Sequence, residues 1–224
     1  MADDNHRTYV YVGLGGENPL VVGAEPPNLD KGGVYRRGDG EEEWTNVSAG
    51  LPNGPQVRAM MVHPKDPKVL FAGTQNGVFR SGDRGQHWEK TDSPDGEVWS
   101  IAVNPKDPNI MFAGYDRSII CRSQDGGSSW QKMNTANVVF PHITMHPTEI
   151  VKRVIGISVD PGNPDDVYGA IEVGGLVASR DGGENWESVT EGHYTRMGPV
   201  DLHGVQVNPS APGLVYIITQ VAMF

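Results

Sequence analysis

The chain has 224 residues, a formal charge of −10 and a single cysteine, Cys121. The charge argues against nucleic acid and anionic membranes as partners, because polyanions repel one another at long range, and a lone cysteine rules out an internal disulfide. With 29 glycines, 17 prolines and no apolar run of membrane-spanning length, the composition points to a turn-rich β protein. The start, Met1-Ala2-Asp3-Asp4-Asn5-His6-Arg7, has neither the basic region nor the apolar stretch of a secretory signal, and sets the expectation of a cytoplasmic protein.

Taken in chain order, the sequence repeats one grammar. An apolar run ends in a proline pair at Met61-Val62-His63-Pro64-Lys65-Asp66-Pro67, and the phrase returns as Ala102 to Pro108, Ser158 to Pro164 and Gln206 to Pro212. Proline fixes φ and donates no backbone hydrogen bond, while Asp and Asn close turns through their side chains, so each phrase reads as a tight link between two strands. A second β run follows each link: Val69 to Gly73, Ile110 to Gly114, Val167 to Ala170 and Leu214 to Ile218. A third, such as Gly77 to Arg80, leads into Ser81-Gly82-Asp83-Arg84-Gly85-Gln86-His87-Trp88. That Ser-x-Asp-x-Gly-x-x-Trp phrase recurs at Ser123, Asp125, Gly127 and Trp130, and again at Ser179, Asp181, Gly183 and Trp186. A worn copy, Arg37 to Trp44, keeps Asp39 and Trp44 but loses the Ser and the Gly. Each Trp is predicted to open a fourth strand. Four short strands per unit, stacked on neighbouring units to bury their faces, make an all-β propeller of four-stranded antiparallel blades.

These residues closely resemble the BNR, or Asp-box, repeat of the sialidase superfamily and its non-sialidase relatives, which include sortilin-type receptors, xyloglucanases and photosystem II assembly factors. The resemblance covers the chain from about Tyr9. It implies that Asp83, Asp125 and Asp181 are structural turn residues, on the face opposite the family's ligand sites. The blades are expected at about 9–48, 57–92, 98–135, 153–190 and 202–224, the last one partial. On this reading the chain is a single incomplete propeller, truncated within the fifth blade. A seven-bladed ring would need on the order of 320 residues at about 45 per blade.

The loops opposite the Asp boxes are where binding residues are expected, since rigid blades tolerate loop growth there. The proline phrases are separated by 41, 56 and 48 residues, and the excess falls in Gln131 to Arg153 and Glu187 to Asp201, with a further insertion at Leu14 to Gly32. The two later insertions carry His142, His146, His193, Tyr194, Arg196 and Asp201, with His203 just beyond. Imidazole titrates near neutrality and ligates borderline metals, so His142, His146, His193 and His203 are candidate ligands for a divalent metal, the one cofactor the sequence suggests. Counting back from each proline turn, Arg58, Trp99, Ile155 and His203 share one position and Gln56, Glu97, Arg153 and Asp201 another, all at the mouth of the channel. Arg58, Glu97, Trp99, Arg153, Tyr194 and Arg196 are therefore the candidate ligand-binding residues, Trp99 as a stacking surface or as packing between blades. His193, His203, Glu172 and Asp201 are the candidate catalytic groups.

Sialidase activity is disfavoured: the family's Phe/Tyr-Arg-Ile-Pro motif is absent, and nothing ties Arg58, Arg117 and Arg153 into an anion clamp. Two readings stand. One is a scaffold that binds a small molecule, glycan or protein partner opposite the Asp boxes. The other is a hydrolase or lyase, glycosyl-hydrolase-like or metal-assisted, using the histidine-rich loops 131–153 and 187–203. Fold alone does not decide whether catalysis occurs.

Overall fold

The computed structural model describes residues 7–15, 32–138, 151–189 and 201–219. Among them there is no helix, and every sheet but the fourth is built in chain order. The first sheet holds β1 (Tyr9–Leu14), β2 (Gly33–Gly38) and β3 (Thr45–Asn46). The second holds β4 (Ala59–Val62), β5 (Leu70–Thr74), β6 (Gly77–Ser81) and β7 (Glu89–Lys90), and the third β8 (Val98–Val103), β9 (Met111–Tyr115), β10 (Ile120–Ser123) and β11 (Gln131–Lys132). β12 (Asn134–Asn137) joins the fourth sheet, with β13 (Val154–Val159), β14 (Val167–Ile171), β15 (Gly175–Ser179) and β16 (Asn185–Ser188). β17 (Leu202–Val207) and β18 (Val215–Thr219) form the last pair. The strands from β4 to β11 follow the expected blade grammar, and the chain is a β-propeller of antiparallel four-stranded sheets.

The fourth sheet departs from that grammar. β12 lies on its outer edge, parallel to β16, with Asn134 beside Asn185 and Asn137 beside Glu187. The insertion after Trp130 is thus not wholly a loop opposite the Asp turns: its first part covers the edge of the next sheet. The reason is an unpaired strand edge, which offers backbone groups to any neighbouring extended segment. Shorter versions of this stitch recur. Asp92 accepts from the Trp130 N–H at 3.0 Å, and Ala49 from the Trp88 N–H at 2.8 Å. The second contact needs Gly50, where a Cβ would lie 2.1 Å from the Trp88 carbonyl oxygen and φ is +94°.

β5, β9 and β14, the second strands of the full sheets, are buried on both faces and feed two cores at once through the period-2 alternation of their side chains. In β5, Leu70 and Ala72 pack toward the first sheet with Val34, Val47 and Trp88. Phe71, between them in sequence, packs toward the third sheet with Val98, Met111, Tyr115 and Trp130. β9 repeats the arrangement: Met111 and Ala113 face back, and Phe112 faces forward to Trp186 and Ile120. Phe112 and Trp186 meet edge to face, with ring centroids 6.4 Å apart. Cys121 is buried in this packing, and burial pushes its thiol up to about 12, so it serves as a small hydrophobe.

The three full Ser-x-Asp-x-Gly-x-x-Trp phrases occupy the third-to-fourth strand turns. Each is tied to the proline turn of its own sheet: Arg84 N–H donates to Lys68 O, Gly126 to Asn109 O and Gly182 to Asp165 O, at 2.9–3.0 Å. Both kinds of turn therefore lie on one face. The opposite face is made by the second-to-third strand loops and the connections between sheets.

Candidate functional site

The inner strands β8, β13 and β17 share an irregularity that the sequence grammar does not show. Val98 pairs with Tyr115 and Ser100 with Gly114, which leaves Trp99 as the extra residue of a bulge. Ile155 is passed over in the same way between Val154 and Gly156, and His203 between Leu202 and Gly204. A bulge re-aims one side chain and increases local twist. Here it recurs at the position that counting from the prolines picked out, at the strand ends opposite the Asp turns.

Beyond the bulges the ladders continue for one more rung. The Asp116 N–H donates to Glu97 O at 3.0 Å and the Glu172 N–H to Arg153 O at 2.9 Å. The loop after β9 also reaches sideways to the next sheet: Asp116 bridges Arg153, and the Ser118 N–H donates to Lys152 O at 2.9 Å. That loop is strained, with Arg117 at φ +55° and Ser118 at +58°, and so is its counterpart at Val173, φ +52°. Left-handed conformations of this kind in non-glycine residues persist only where surrounding contacts hold them.

These contacts bring Arg58, Glu97, Trp99 and Arg153 together. Trp99 lies between two guanidinium groups, Arg58 from the preceding sheet and Arg153 from the following one, each 4.5 Å from the ring centre. Arg58 has Glu97 at 3.6 Å and Gln56 as a hydrogen-bond partner; Arg153 holds Glu172 at 2.8 Å. Both guanidinium groups lie over the indole, so part of the stacking role expected of Trp99 is filled by the protein itself. Three donor atoms in this stack, Arg58 Nη1, Trp99 Nε1 and Arg153 Nε, are buried and have no hydrogen-bond partner among the described residues. Such groups are uncommon in folded proteins, because a desolvated donor left unmade costs about 1–3 kcal/mol.

One step round the axis, Asp201 accepts the Val173 N–H at 3.2 Å through Oδ1 and has His203 Nε2 3.5 Å from Oδ2. Glu172 belongs to the Arg153 contact. His142, His146, His193, Tyr194 and Arg196 lie outside the described residues. Among the described residues no group of three or more His, Cys, Asp or Glu is placed to hold a metal. Two polar residues of this face escaped the reading of the strands: Gln75, whose side chain receives the Gln56 N–H at 2.9 Å, and Asp116, 3.7 Å from Arg117. Their signal was position, since both sit in second-to-third strand loops, equivalent to Glu172.

The Asp turns, on the other face, are self-contained. Ser123 Oγ donates to Asp125 and accepts the Gly127 N–H, while Asp125 accepts the Ser128 and Ser129 N–H groups and the Ser129 hydroxyl, all at 2.6–3.0 Å. Ser81 with Asp83 and Gly85, and Ser179 with Asp181 and Gly183, repeat the arrangement. Each carboxylate spends its acceptors within its own turn, as a structural residue does.

No family model and no curated protein matches the chain. Solved structures do. A crystal structure of an ancestral GH74 enzyme aligns over 83% of this chain and 24% of its own, with a TM-score of 0.63 and 22% identity. The GH74 enzyme of Niastella koreensis aligns over 96% of this chain and 34% of its own, with a TM-score of 0.67 and 15% identity. YCF48 bound to D1 peptide aligns over 84% and 54%, with a TM-score of 0.53 and 14% identity. The chain thus spans about a quarter to a half of the length of these proteins. At such identities the likeness is one of fold, and the fold is the propeller that the strand order shows.

Proposed function

We propose that the chain is an Asp-box propeller scaffold of the BNR type, cytoplasmic, whose face opposite the Asp turns binds a partner. The observation that carries this reading is the set of three unpartnered buried donors around Trp99. A site whose polar groups are already satisfied has nothing to offer a ligand; this one has three hydrogen bonds to give. Support also comes from the loop strain at Arg117, Ser118 and Val173 on the same face, since backbone strain concentrates at binding and catalytic sites. Among proteins of this fold, YCF48 is seen bound to a peptide. The two guanidinium groups over Trp99 leave less of the indole for a sugar ring, which favours a small molecule or protein partner over a glycan.

The test is a fragment library of small acids, amides and sugars read by protein-observed NMR. Binders are expected to shift resonances of Gln75, Trp99, Asp116 and Glu172. Shifts confined to the Asp-turn face, or none, would overturn the reading. The alternative, a hydrolase or lyase, rests on the Asp201–His203 pair together with the histidines of loops 131–153 and 187–203. It calls for bound zinc or manganese in the isolated protein that His203→Ala removes.

A further inference from the structure

We infer that the Arg58–Trp99–Arg153 stack is a carboxylate-binding subsite; this deepens the binding reading and rests on it. All three orphaned atoms are donors, so the missing partner is an acceptor. Two of them belong to different arginines, both over one indole, so the partner brings more than one acceptor oxygen. It is an anion, because guanidinium donors to anionic oxygens form the stronger, charge-assisted hydrogen bonds.

The surrounding acids limit its charge. Glu97 stands 3.6 Å from Arg58, Glu172 2.8 Å from Arg153, and Asp116 and Asp201 border the same mouth. A phosphate dianion would meet these carboxylates with twice the charge of a monoanion. A planar carboxylate meets the requirement with two oxygens and a single charge.

Entry requires a side chain to move, since the three atoms are buried. Glu97 is the one placed to do so: it is more than one third exposed, and its contact with Arg58 is long, whereas Glu172 holds Arg153 closely. The incoming carboxylate exchanges with Glu97, trading one charge-assisted contact of Arg58 for a better one and supplying acceptors to Trp99 Nε1 and Arg153 Nε. Glu97 is thus a built-in competitor that sets affinity, and Trp99 contributes its N–H edge rather than its face.

The experiment follows the Trp99 indole N–H in 15N spectra of the protein, assigned by its disappearance in Trp99→Phe. Sodium acetate and its neutral counterpart acetamide test the chemistry, at constant ionic strength. N-acetylated tetra-alanine with a free or an amidated C-terminus tests the source. Acetate is expected to move the indole resonance saturably and acetamide to leave it in place. Glu97→Gln is expected to tighten acetate binding several-fold. Trp99→Phe, which keeps a ring for the arginines to cover, is expected to weaken binding about tenfold, followed through the Arg58 and Arg153 side-chain resonances. Arg58→Ala should abolish it.

If the free-acid peptide binds and the amidated one does not, a chain terminus is the source; if acetate binds and neither peptide does, the ligand is a small acid. Acetamide matching acetate, or amidated peptide matching free acid at this face, would sink the carboxylate assignment and leave the scaffold reading standing. No movement with any of the four probes would sink it too, and the fragment library then decides the scaffold reading separately.

Discussion

Asp83, Asp125 and Asp181 show how a carboxylate can be essential and inert at once. At Asp125 the Ser129 hydroxyl and N–H, with Ser123 and the Ser128 N–H, outweigh burial and hold the carboxyl at about 2. Asp181 sits at about 2 through the N–H and side chain of Asn185, and Asp83 also at about 2, where burial pushes it up and His87 and Ser81 bring it down. An unfolded Asp titrates near 3.9, so on acidification the unfolded chain takes up these protons first. Stability from the turns is complete above about pH 4 and is lost as pH falls toward about 2. Acid unfolding followed by tryptophan fluorescence should therefore steepen across that window, and Asp125→Asn should flatten the profile while lowering stability at pH 7. In the worn copy Glu41 takes the Gly38 N–H at 2.6 Å in place of the serine device, and Trp44 remains 37% exposed where Trp186 is 1% exposed. Losing the Ser and the Gly in sequence thus corresponds to losing the buried Trp in structure.

Among the elements, the turn glycines link the Asp phrases to the cores. Gly127 and Gly183 sit at φ +82° and +90°, and a Cβ on either would fall 2.4 Å from Cε1 of Phe71 or Phe112 in the preceding sheet. Gly183→Ala combines backbone strain with overpacking and should cost about 1–3 kcal/mol in chemical denaturation. Trp186→Ala removes the ring that Phe112 meets edge to face and should cost about 3–5 kcal/mol. Gly40→Ala is the control: it has a positive φ but open space around it, so its loss should be the smaller.

Strand order, turn chemistry and the faces of the turns were legible because each rests on local residue type repeated several times. The channel-mouth set Arg58, Glu97, Trp99 and Arg153 was legible by counting from the prolines. The bulge was not: it is a property of pairing between two strands, and nothing in Val98-Trp99-Ser100 marks Trp99 as the residue skipped. The guanidinium groups over Trp99 were hidden for the same reason, since Arg58 and Arg153 reach it from other sheets. β12 carries no strand signal in the sequence, because Asn134-Thr135-Ala136-Asn137 has no apolar alternation and its pairing depends on the edge beside it.

For the molecule as a whole, each sheet depends on its neighbours, because β5, β9 and β14 divide their side chains between two cores. Stability should therefore spread along the chain in the manner of stacked repeats. Hydrogen exchange should be slowest in β5, β9 and β14, which are buried throughout, and faster in β18, where Tyr216 and Ile218 are exposed. Equal protection of β18 and β9 would contradict that gradient. Phe71→Ala, in β5, should lower protection in the second and third sheets together.

The repeated bulge also makes one position expendable in length though not in identity. Val98 stays opposite Tyr115 and Ser100 opposite Gly114 whether or not a residue stands between them, so losing residue 99 would leave an ordinary ladder with every other side chain on its present face. Losing Ile101 instead would be absorbed only by moving Trp99 and Ser100 one rung along and turning both over. A scan of single-residue deletions along β8 should therefore find residue 99 the best tolerated, its cost falling on the mouth and not on the core, and the same should hold at 155 in β13 and 203 in β17. The spare residue in these three strands is slack in the reading frame of the ladder.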